Sequence, residues 1–294
     1  MMSAKLLASI ELNQEQIEHD LNIVGSEILD VAYSEYACGN WGTITLWNHS
    51  GDAGDQTSRE YVGQARPTEL GQQLDCINQL IRNNFNISLI KSVRIFRSYN
   101  GGAIYPHIDY LEFNQGFKRV HLVLKSDRSC LNSEENTVYH MLPGEVWFVD
   151  GHSAHSAMSL SRVGKYSLVL DFDSGAKFED LYSESHTLCV DNLEPDIIHD
   201  RQPLPTSLRD SLAHIAEHAD EFNIQSILFL ATRFHFSYAV SIREYFQLLD
   251  ECFSRNPYKS VRERYEALKD ILVRSGYTSH KFNHFNSLSG VTIG

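Results

Sequence analysis

The chain has 294 residues, of which 42% are hydrophobic, and a formal net charge of −13 from 38 acidic and 25 basic side chains. This length is enough to bury a core without disulfides or a structural metal. The acidic balance, without a large Lys/Arg cluster, argues against nucleic acid, which binds positive surfaces. The five cysteines are scattered and form no C-x-x-C pair, so we expect free thiols and a cytoplasmic protein. No apolar run is long enough to cross a membrane, so no membrane partner is expected.

In chain order, the first strong pattern is a helix predicted over residues 66–85. Apolar side chains recur there at helical spacing, namely Leu70, Leu74, Ile77 and Ile81. From residue 88 to residue 172 the pattern changes to short β-rich runs, which Gly, Asn, Ser or Asp interrupt at short intervals. This spacing predicts an antiparallel sandwich or barrel instead of alternating strands and helices.

After Pro203 and Pro205 the pattern becomes helical, and four periodic runs follow. We therefore predict an α+β chain with two domains. Residues 1–200 would hold N-terminal helices and the β core, and residues 201–294 would form an all-helical domain. The closing stretch, residues 280–294, is predicted to be a loop or tail.

The stretch YPHIDYLEF, residues 105–113, places a histidine and a carboxylate two residues apart in a predicted strand. Side chains at i and i+2 of a strand point to the same face, so His107 and Asp109 project into one space. The same spacing recurs at His218 and Asp220, but in a helical pattern, where residues i and i+2 do not share a face. The first pair is therefore the candidate for metal binding.

A third ligand candidate lies in DGHSAHS, where His152 and His155 follow a predicted strand and a turn. Two histidines and one carboxylate on neighbouring strands make a facial triad, which leaves positions on Fe(II) open for a cosubstrate and oxygen. Zinc with the same ligands and a water also suits the spacing. From the residues alone, ordinary polar side chains at strand ends remain the alternative.

The run RVGKYSLVLDF carries Lys165 and Ser167 on one face of a predicted strand. A lysine one strand from a metal can hold the distal carboxylate of a dicarboxylate cosubstrate, and the serine adds a hydroxyl. In RVHLVLK, Arg119 and His121 alternate toward the interior. A cation in an apolar strand is costly without an anionic partner, which for Arg119 is either the cosubstrate or a protein carboxylate. For Lys165 the alternative is a solvated strand start.

Several stretches, in order, resemble the aspartyl/asparaginyl β-hydroxylase-like branch of the Fe(II)/2-oxoglutarate dioxygenases. The resemblance is strongest to bacterial hydroxylases of free L-amino acids, of which the proline hydroxylases are the familiar members. The matching stretches are NWGTITLWNHSGD (40–52), RSYNGGAIYPHID (97–109), RVHLVLK (119–125), ENTVYHMLPGEVWFVDGHSAHSA (135–157) and YSLVLDF (166–172). The combination is specific, although no single motif is.

The resemblance implies a double-stranded β-helix core, of the jelly-roll or cupin-like kind, that carries Fe(II). Its implied ligands are His107, Asp109 and His155. His155 is selected over His152 because it stands in the family's His-Ser-Ala segment. We expect 2-oxoglutarate and O₂ as cosubstrates of the iron.

The implied 2-oxoglutarate position is usually arginine in these relatives and is Lys165 here, with Arg162 just before it. Lysine offers a point charge without the bidentate fork of arginine. Either residue could bind, and we favour Lys165 on register, with Ser167 beside it. Arg119 and His121 fall where the wider family places further cosubstrate contacts.

The implied reaction is hydroxylation of an unactivated C–H bond of a free L-amino acid, with proline first and lysine or pipecolic acid as alternatives. Arg97 is the candidate for the substrate carboxylate. Trp47 is the candidate for a pocket wall, although core packing explains this tryptophan better. The sequence leaves open whether the chain forms a homodimer.

Two other classes remain possible on the residues. One is a non-catalytic, cupin-like module that binds a metal or ligand, which the dicarboxylate anchor disfavours. The other is a zinc hydrolase, which would act without O₂.

Overall fold

The computed structural model describes residues 2–27, 29–30, 34–57, 61–109, 117–173, 175–191 and 193–273. The strands are β1 Lys5–Ser9, β2 Ala37–Asn48, β3 Arg66–Pro67, β4 Ile90–His107, β5 Lys118–Lys125, β6 Cys130–Glu134, β7 Thr137–Tyr139, β8 Glu145–Val149, β9 His155–Ser159, β10 Lys165–Phe172 and β11 Ile197–Ile198. The helices are α1 Gln14–Gly25, α2 Glu69–Gln72, α3 Asp75–Asn84, α4 Thr206–Glu217, α5 Ile224–Ser237, α6 Ile242–Ser254 and α7 Lys259–Val273.

Within the described residues, the strands form one curled antiparallel sheet with the order β1-β8-β5-β10-β4-β9-β6-β7-β11, and β2 pairs with β3 and β4. The antiparallel pairing confirms the prediction made from the short β-rich runs. It brings the strands of the candidate site together, because β4 is hydrogen-bonded to both β9 and β10.

Strand β4 is longer than its sequence predicts. Asn100 and Gly101, whose residue types favour a turn, instead form a bulge inside one strand, with φ of 49° at Asn100 and 85° at Gly101. Before the bulge β4 pairs with β10, and after it β4 pairs with β9. Bulges bend a strand and increase its twist. The bulge thus carries the end of β4, with His107, from one part of the sheet to another.

The helix predicted over residues 66–85 is two helices. Thr68 caps α2, its side chain accepting a hydrogen bond from the backbone N–H of Gly71. The backbone of Leu74 leaves the helical region, with φ of −97° and ψ of 76°, and α3 begins at the next residue. The apolar face survives this break, since Leu74, Ile77 and Ile81 are all fully buried.

The two faces of the central strands have different surroundings. On one face, apolar side chains such as Val93, Ile95 and Leu168 pack with Ile17 and Leu21 of α1 in the largest core. The opposite face turns inward and carries polar side chains. This alternation follows from the two-residue period of a strand, and it separates the packing face from the site.

Helices α4 to α7 lie where the sequence predicts the C-terminal helices and share a second core, which also contains Tyr36 and Tyr105. The end of α7 reaches the segment that holds His107 and Asp109, where the backbone N–H of Ile108 donates to the carbonyl of Leu272 at 2.8 Å. The predicted tail, residues 280–294, lies outside the described residues. In the described part of the chain, no helix combines the length and the apolar character that a membrane span needs.

Candidate active site

A cavity lies between the inward faces of β4, β5, β9 and β10. Its lining includes seven of the nine predicted site residues, which are His107, Asp109, Arg119, His121, His155, Lys165 and Ser167. Residues far apart in the sequence meet there because the strands that carry them are neighbours in the sheet. Their individual roles stay predictions.

Three side chains with metal-binding atoms converge at one end of the cavity. His107 ends β4 and His155 begins β9, and the two are register partners. Their Nε2 atoms lie 3.4 Å and 3.6 Å from the same oxygen, Oδ1 of Asp109. The three side chains therefore present two nitrogens and one oxygen to a single point.

Backbone carbonyls orient both imidazole rings. Nδ1 of His107 lies 2.7 Å from the carbonyl oxygen of Tyr105, and Nδ1 of His155 lies 2.9 Å from that of Ser153. A carbonyl oxygen only accepts, so each Nδ1 carries the proton and each Nε2 presents a lone pair to the common point. This second contact is typical of histidines that bind metals.

The charge states also suit a metal. Burial, together with the neighbouring His107, lowers the pKa of His155 to about 4, which keeps the ring neutral. Burial alone would raise the pKa of Asp109, but the nearby Arg119 and the two histidines outweigh it and hold that pKa well below its usual range. Neutral imidazoles and an ionised carboxylate are the forms that bind metal ions.

Arg119 is held between two carboxylates. Its Nη1 donates to Oδ2 of Asp109 at 2.6 Å, and its Nε donates to Oδ1 of Asp171 at 2.8 Å. Asp171 is fully buried and also accepts hydrogen bonds from Arg94 and Ser92. Arg119 thus fixes the second oxygen of Asp109, and its predicted contact with the cosubstrate stays a prediction.

Gly151 leaves room for Asp109. The backbone N–H of Asp109 donates to the Gly151 carbonyl at 2.8 Å. A Cβ atom at Gly151 would lie 2.6 Å from Oδ2 of Asp109. Glycine is therefore required by the close approach of the carboxylate and not by the conformation of the loop.

Lys165 occupies the other end of the cavity. Its side chain is 7% exposed and donates a hydrogen bond to Oδ1 of Asn132, and in the described residues it forms no ion pair. Burial lowers the pKa of Lys165 to about 8. A buried cation without an anionic partner is costly, so this end of the cavity has the charge to receive an anion.

Three further polar atoms near Lys165 are buried and lack a hydrogen-bond partner in the described part of the chain. They are Nδ2 of Asn132, Oγ of Ser167 and Nε2 of His121. All three side chains line the cavity. Burial, with the charges of Arg119 and Lys165, holds the pKa of His121 well below its usual range. Unsatisfied buried polar groups are uncommon, and these three could hydrogen-bond a ligand that enters the cavity.

The structure contradicts the predicted role of Arg97. Arg97 lies on the packing face of β4, between the inward-facing residues Phe96 and Ser98, and it does not line the cavity. Its Nη1 donates to the carbonyls of Val24 and Gly25 at the end of α1. The prediction considered the charge of Arg97 but not the face of the strand on which its side chain lies.

Trp47 is a core residue, and its predicted role as a pocket wall is wrong. Its indole N–H donates to Oδ1 of Asn78 at 3.1 Å, and the ring packs in the largest core. Trp41, on the same strand, lines the cavity instead and contacts Phe96 edge-on. Strict alternation would place both tryptophans on one face, but the pairing of β2 with β4 shifts register between Thr45 and Trp47.

The sequence left two candidate histidines and two candidate cations as alternatives. The structure distinguishes the members of each pair by their positions. His152 is exposed and contacts Asp150, whereas His155 faces Asp109. Arg162 is exposed, whereas Lys165 lines the cavity. Asn132 and Asp171 were not predicted. Asp171 shares a strand face with Lys165 in the sequence, which was a usable signal, but nothing in the sequence pairs Asn132 with Lys165.

Known proteins match most of the chain. The family model described as aspartyl/asparaginyl beta-hydroxylase matches residues 11–174, and the model described as L-proline 3-hydroxylase, C-terminal, matches residues 184–276. An L-proline cis-4-hydroxylase from Rhizobium meliloti (strain 1021) is 28% identical over 91% of this chain and 95% of its own length. The L-proline cis-3-hydroxylase 1 of a Streptomyces species is 27% identical over 96% of this chain and 99% of its own length.

Solved structures are more distant. An oxidoreductase of the 2OG-Fe(II) oxygenase family from Burkholderia pseudomallei aligns with 57% of this chain and 82% of that chain. The identity is 11% and the TM-score is 0.34.

Proposed function

This chain belongs to the aspartyl/asparaginyl β-hydroxylase family, whose model matches residues 11–174 of its 294, and we propose that it is an Fe(II)- and 2-oxoglutarate-dependent hydroxylase of a free L-amino acid. The observation that carries the proposal is that one cavity holds both a two-histidine, one-carboxylate cluster and a buried lysine that forms no ion pair among the described residues. Proline is the first substrate to test, since the relatives at 27–28% identity are L-proline hydroxylases. L-lysine and pipecolic acid are the alternatives.

The three-residue cluster fits iron. His107, Asp109 and His155 supply the donor set of a facial triad, and its open positions are the ones a chelating cosubstrate and O₂ need. Burial keeps the His155 ring neutral, and Arg119 occupies the second carboxylate oxygen, which favours binding of Asp109 through one oxygen. When bound, Fe(II) with 2-oxoglutarate supplies the oxidising chemistry for insertion of oxygen into a C–H bond.

The Lys165 end fits the distal carboxylate of 2-oxoglutarate. Lys165 offers a cation, Ser167 its Oγ hydroxyl and Asn132 its Nδ2 amide, and in the part of the chain that the structure describes neither Oγ nor Nδ2 has a hydrogen-bond partner. A dicarboxylate would satisfy these groups together and lift the cost of the buried charge. A metal-binding module without a cosubstrate would have no use for them.

The substrate would lie against the apolar part of the lining, which includes Trp41 and Phe96. These two rings contact each other edge-on in the lining and would hold the amino-acid side chain while excluding water. We infer that the curled sheet is a double-stranded β-helix, that residues 1–200 are the dioxygenase domain, and that residues 201–294 are a separate helical domain.

The test is single-turnover oxidation. Protein loaded without oxygen with Fe(II) and 2-oxoglutarate is exposed to O₂ in the presence of proline, lysine, pipecolic acid or other free amino acids, and succinate and hydroxylated product are measured by mass spectrometry. We expect succinate and one amino acid with an added oxygen atom. His155→Ala should abolish both, and the matched control His152→Ala, at an exposed histidine three positions away, should retain both.

Three outcomes would contradict the proposal. Activity that persists without O₂ would favour zinc hydrolysis. Metal binding without any succinate would favour a binding module. Succinate without a hydroxylated amino acid, across the whole panel, would show that the protein oxidises 2-oxoglutarate but that free amino acids are not its substrate class.

A further inference from the structure

The segment before β1 is bound by a buried carboxylate close to the metal cluster. Oε1 of Glu134 accepts hydrogen bonds from the backbone N–H of Ser3 at 2.5 Å and from its hydroxyl at 2.8 Å. Oε2 accepts from the backbone N–H of Ala4 at 2.7 Å. Glu134 is 3% exposed and forms no ion pair within the described residues. Three donors therefore offset the cost of burying its charge.

The same contacts continue to a metal ligand. Glu134 is the register partner of His155 across β6 and β9. The hydroxyl of Ser3 lies 2.8 Å from the hydroxyl of Ser153. The carbonyl of Ser153 accepts the Nδ1 proton of His155 at 2.9 Å. Ser3 thus touches the residue that sets the tautomer and the direction of the His155 ring.

We propose that Ser3 and Glu134 are positioning residues for His155. Glu134 fixes the segment before β1, Ser3 of that segment fixes Ser153, and Ser153 aims Nε2 of His155 at the metal. This inference rests on the metal site of the proposed function. Direct hydrogen-bond partners of metal ligands commonly change metal affinity about 10- to 100-fold when removed, and Ser3 and Glu134 act one and two contacts beyond such a partner, so we expect a smaller change.

The test measures metal binding, not activity. Co²⁺ is titrated anaerobically as a probe for the Fe(II) site, and its dissociation constant and visible absorption spectrum are recorded for Ser3→Ala, Ser3→Thr, Glu134→Gln and wild type. We expect Glu134→Gln and Ser3→Ala to weaken Co²⁺ binding several-fold, up to about tenfold, and to change the spectrum. Ser3→Thr keeps the hydroxyl and should restore both.

A second serine–glutamate pair gives a matched control. The hydroxyl of Ser241 donates to Oε2 of Glu244 at 2.8 Å, and this pair caps α6 without lining the cavity. Ser241→Ala should lower the melting temperature comparably to Ser3→Ala and leave Co²⁺ binding unchanged. If Ser3→Ala and Glu134→Gln lower the melting temperature but bind Co²⁺ like wild type, the positioning role is wrong. If wild type binds no Co²⁺, the metal site of the proposed function fails as well.

A different observation carries a second inference, on the surface of α4. His214, Glu217 and His218 lie at positions i, i+3 and i+4, which share one side of a helix. All three are exposed, their ligand atoms lie within 4.8 Å of one another, and the two rings are 4.7 Å apart. His218 is the C-cap of the helix, where the partial negative charge of the helix end favours a cation.

The geometry points to a second site for a divalent transition metal of the Zn²⁺ class at His214, Glu217 and His218. Two imidazoles and a carboxylate suit Zn²⁺, and the exposed side leaves a position for water. Such a site follows the general affinity order and prefers Zn²⁺ to Fe²⁺.

Stoichiometry tests this second site. Metal-free protein is titrated with Zn²⁺, and bound equivalents are counted after desalting. Wild type should retain two equivalents of Zn²⁺. His214→Ala/His218→Ala should retain one equivalent, the one bound at the cluster in the cavity. A control with two other exposed histidines replaced, His19→Ala/His199→Ala, should retain two. Equal retention by the α4 variant and wild type would overturn the site.

Discussion

At the end of the cavity that holds His107, Asp109 and His155 (the cluster end), the polar side chains have protein partners, whereas at the Lys165 end several polar atoms have none among the described residues. Asp109 is held by Arg119, and Arg119 by Asp171, which is itself held by Arg94. At the other end, Lys165 has no ion pair in the described residues, and the side chains of Asn132 and Ser167 leave polar atoms unsatisfied.

The difference separates what the protein builds for itself from what it leaves for a ligand. The cluster end is organised before anything binds, because hydrogen bonds and ion pairs within the protein already offset the free-energy cost of burying its charged groups. The Lys165 end retains an unfavourable arrangement that a dicarboxylate would relieve. Binding sites commonly lower the stability of the ligand-free protein in this way, because the groups that bind the ligand are not stabilised by the protein itself.

The largest expected effect is at the metal ligands. Replacing His107 by alanine removes one of three ligands, and we expect hydroxylation to fall by about a thousandfold or more, which is about 4 kcal/mol of activation free energy. Product formation under saturating Fe(II) is the measurement. A His107→Ala variant with wild-type rate would show that the cluster is not the catalytic metal site.

Asp171→Asn should cost the most stability. It leaves the Arg94 and Arg119 guanidinium groups without full compensation in a buried position, and breaking a buried ion pair costs about 3–5 kcal/mol. Lys165→Met should cause no such loss in the ligand-free protein, because it removes an unpaired charge. Urea unfolding of both variants measures the contrast. A larger loss of unfolding free energy for Lys165→Met than for Asp171→Asn would contradict the difference inferred between the two ends of the cavity.

Lys165→Met should instead weaken 2-oxoglutarate binding. A hydrogen bond to a charged group contributes about 1.5–3 kcal/mol, so the dissociation constant should rise about 10- to 100-fold. Calorimetric titration of the Fe(II)-free protein, or of the protein with a redox-inert metal, measures it. Arg162→Ala is the matched control and should bind like wild type, since Arg162 is exposed.

The pH dependence of that binding has a definite sign. The pKa of Lys165 is lowered to about 8, so the cation is present below pH 8 and is lost as the pH rises above it. Affinity for 2-oxoglutarate should therefore fall above about pH 8 in wild type. Lys165→Arg stays charged and should show a flat profile from pH 7 to about 9.5.

The lowered pKa of Lys165 also affects folding stability. Above about pH 8 the unfolded chain binds more protons than the folded one, so the Lys165 contribution to unfolding free energy rises with pH there.

The smallest effect separates two tryptophans of one strand. Trp41→Leu should raise the KM of the amino-acid substrate several-fold, because the ring lines the cavity. Trp47→Leu should lower the free energy of unfolding by about 1–3 kcal/mol through lost packing and leave the KM within about twofold. Steady-state kinetics beside urea unfolding distinguish them, and a change of KM in Trp47→Leu alone would reverse the assignment.

How far the sequence predicts the molecule depends on the range of each interaction. Periodicity along the chain correctly indicated antiparallel strands, the apolar face of α3 and the helices after Pro205, since each depends on neighbouring residues. The bulge at Asn100 and the break before α3 were missed because both depend on tertiary contacts that outweigh local pattern. The register shift in β2 moved Trp47 into the core by the same cause.

The sequence by itself determined which side chains were available for a metal and a dicarboxylate, through H-x-D spacing, a later histidine and the alternation of Lys165 with Ser167. Only the tertiary structure decided which of them meet. It placed His155 and not His152 beside Asp109, turned Arg97 to the packing face, and brought Asn132 to Lys165 and Asp171 to Arg119. The physical reason is that strand pairing joins residues with no sequence relation, and a shift of one residue in register changes the face on which every later side chain lies.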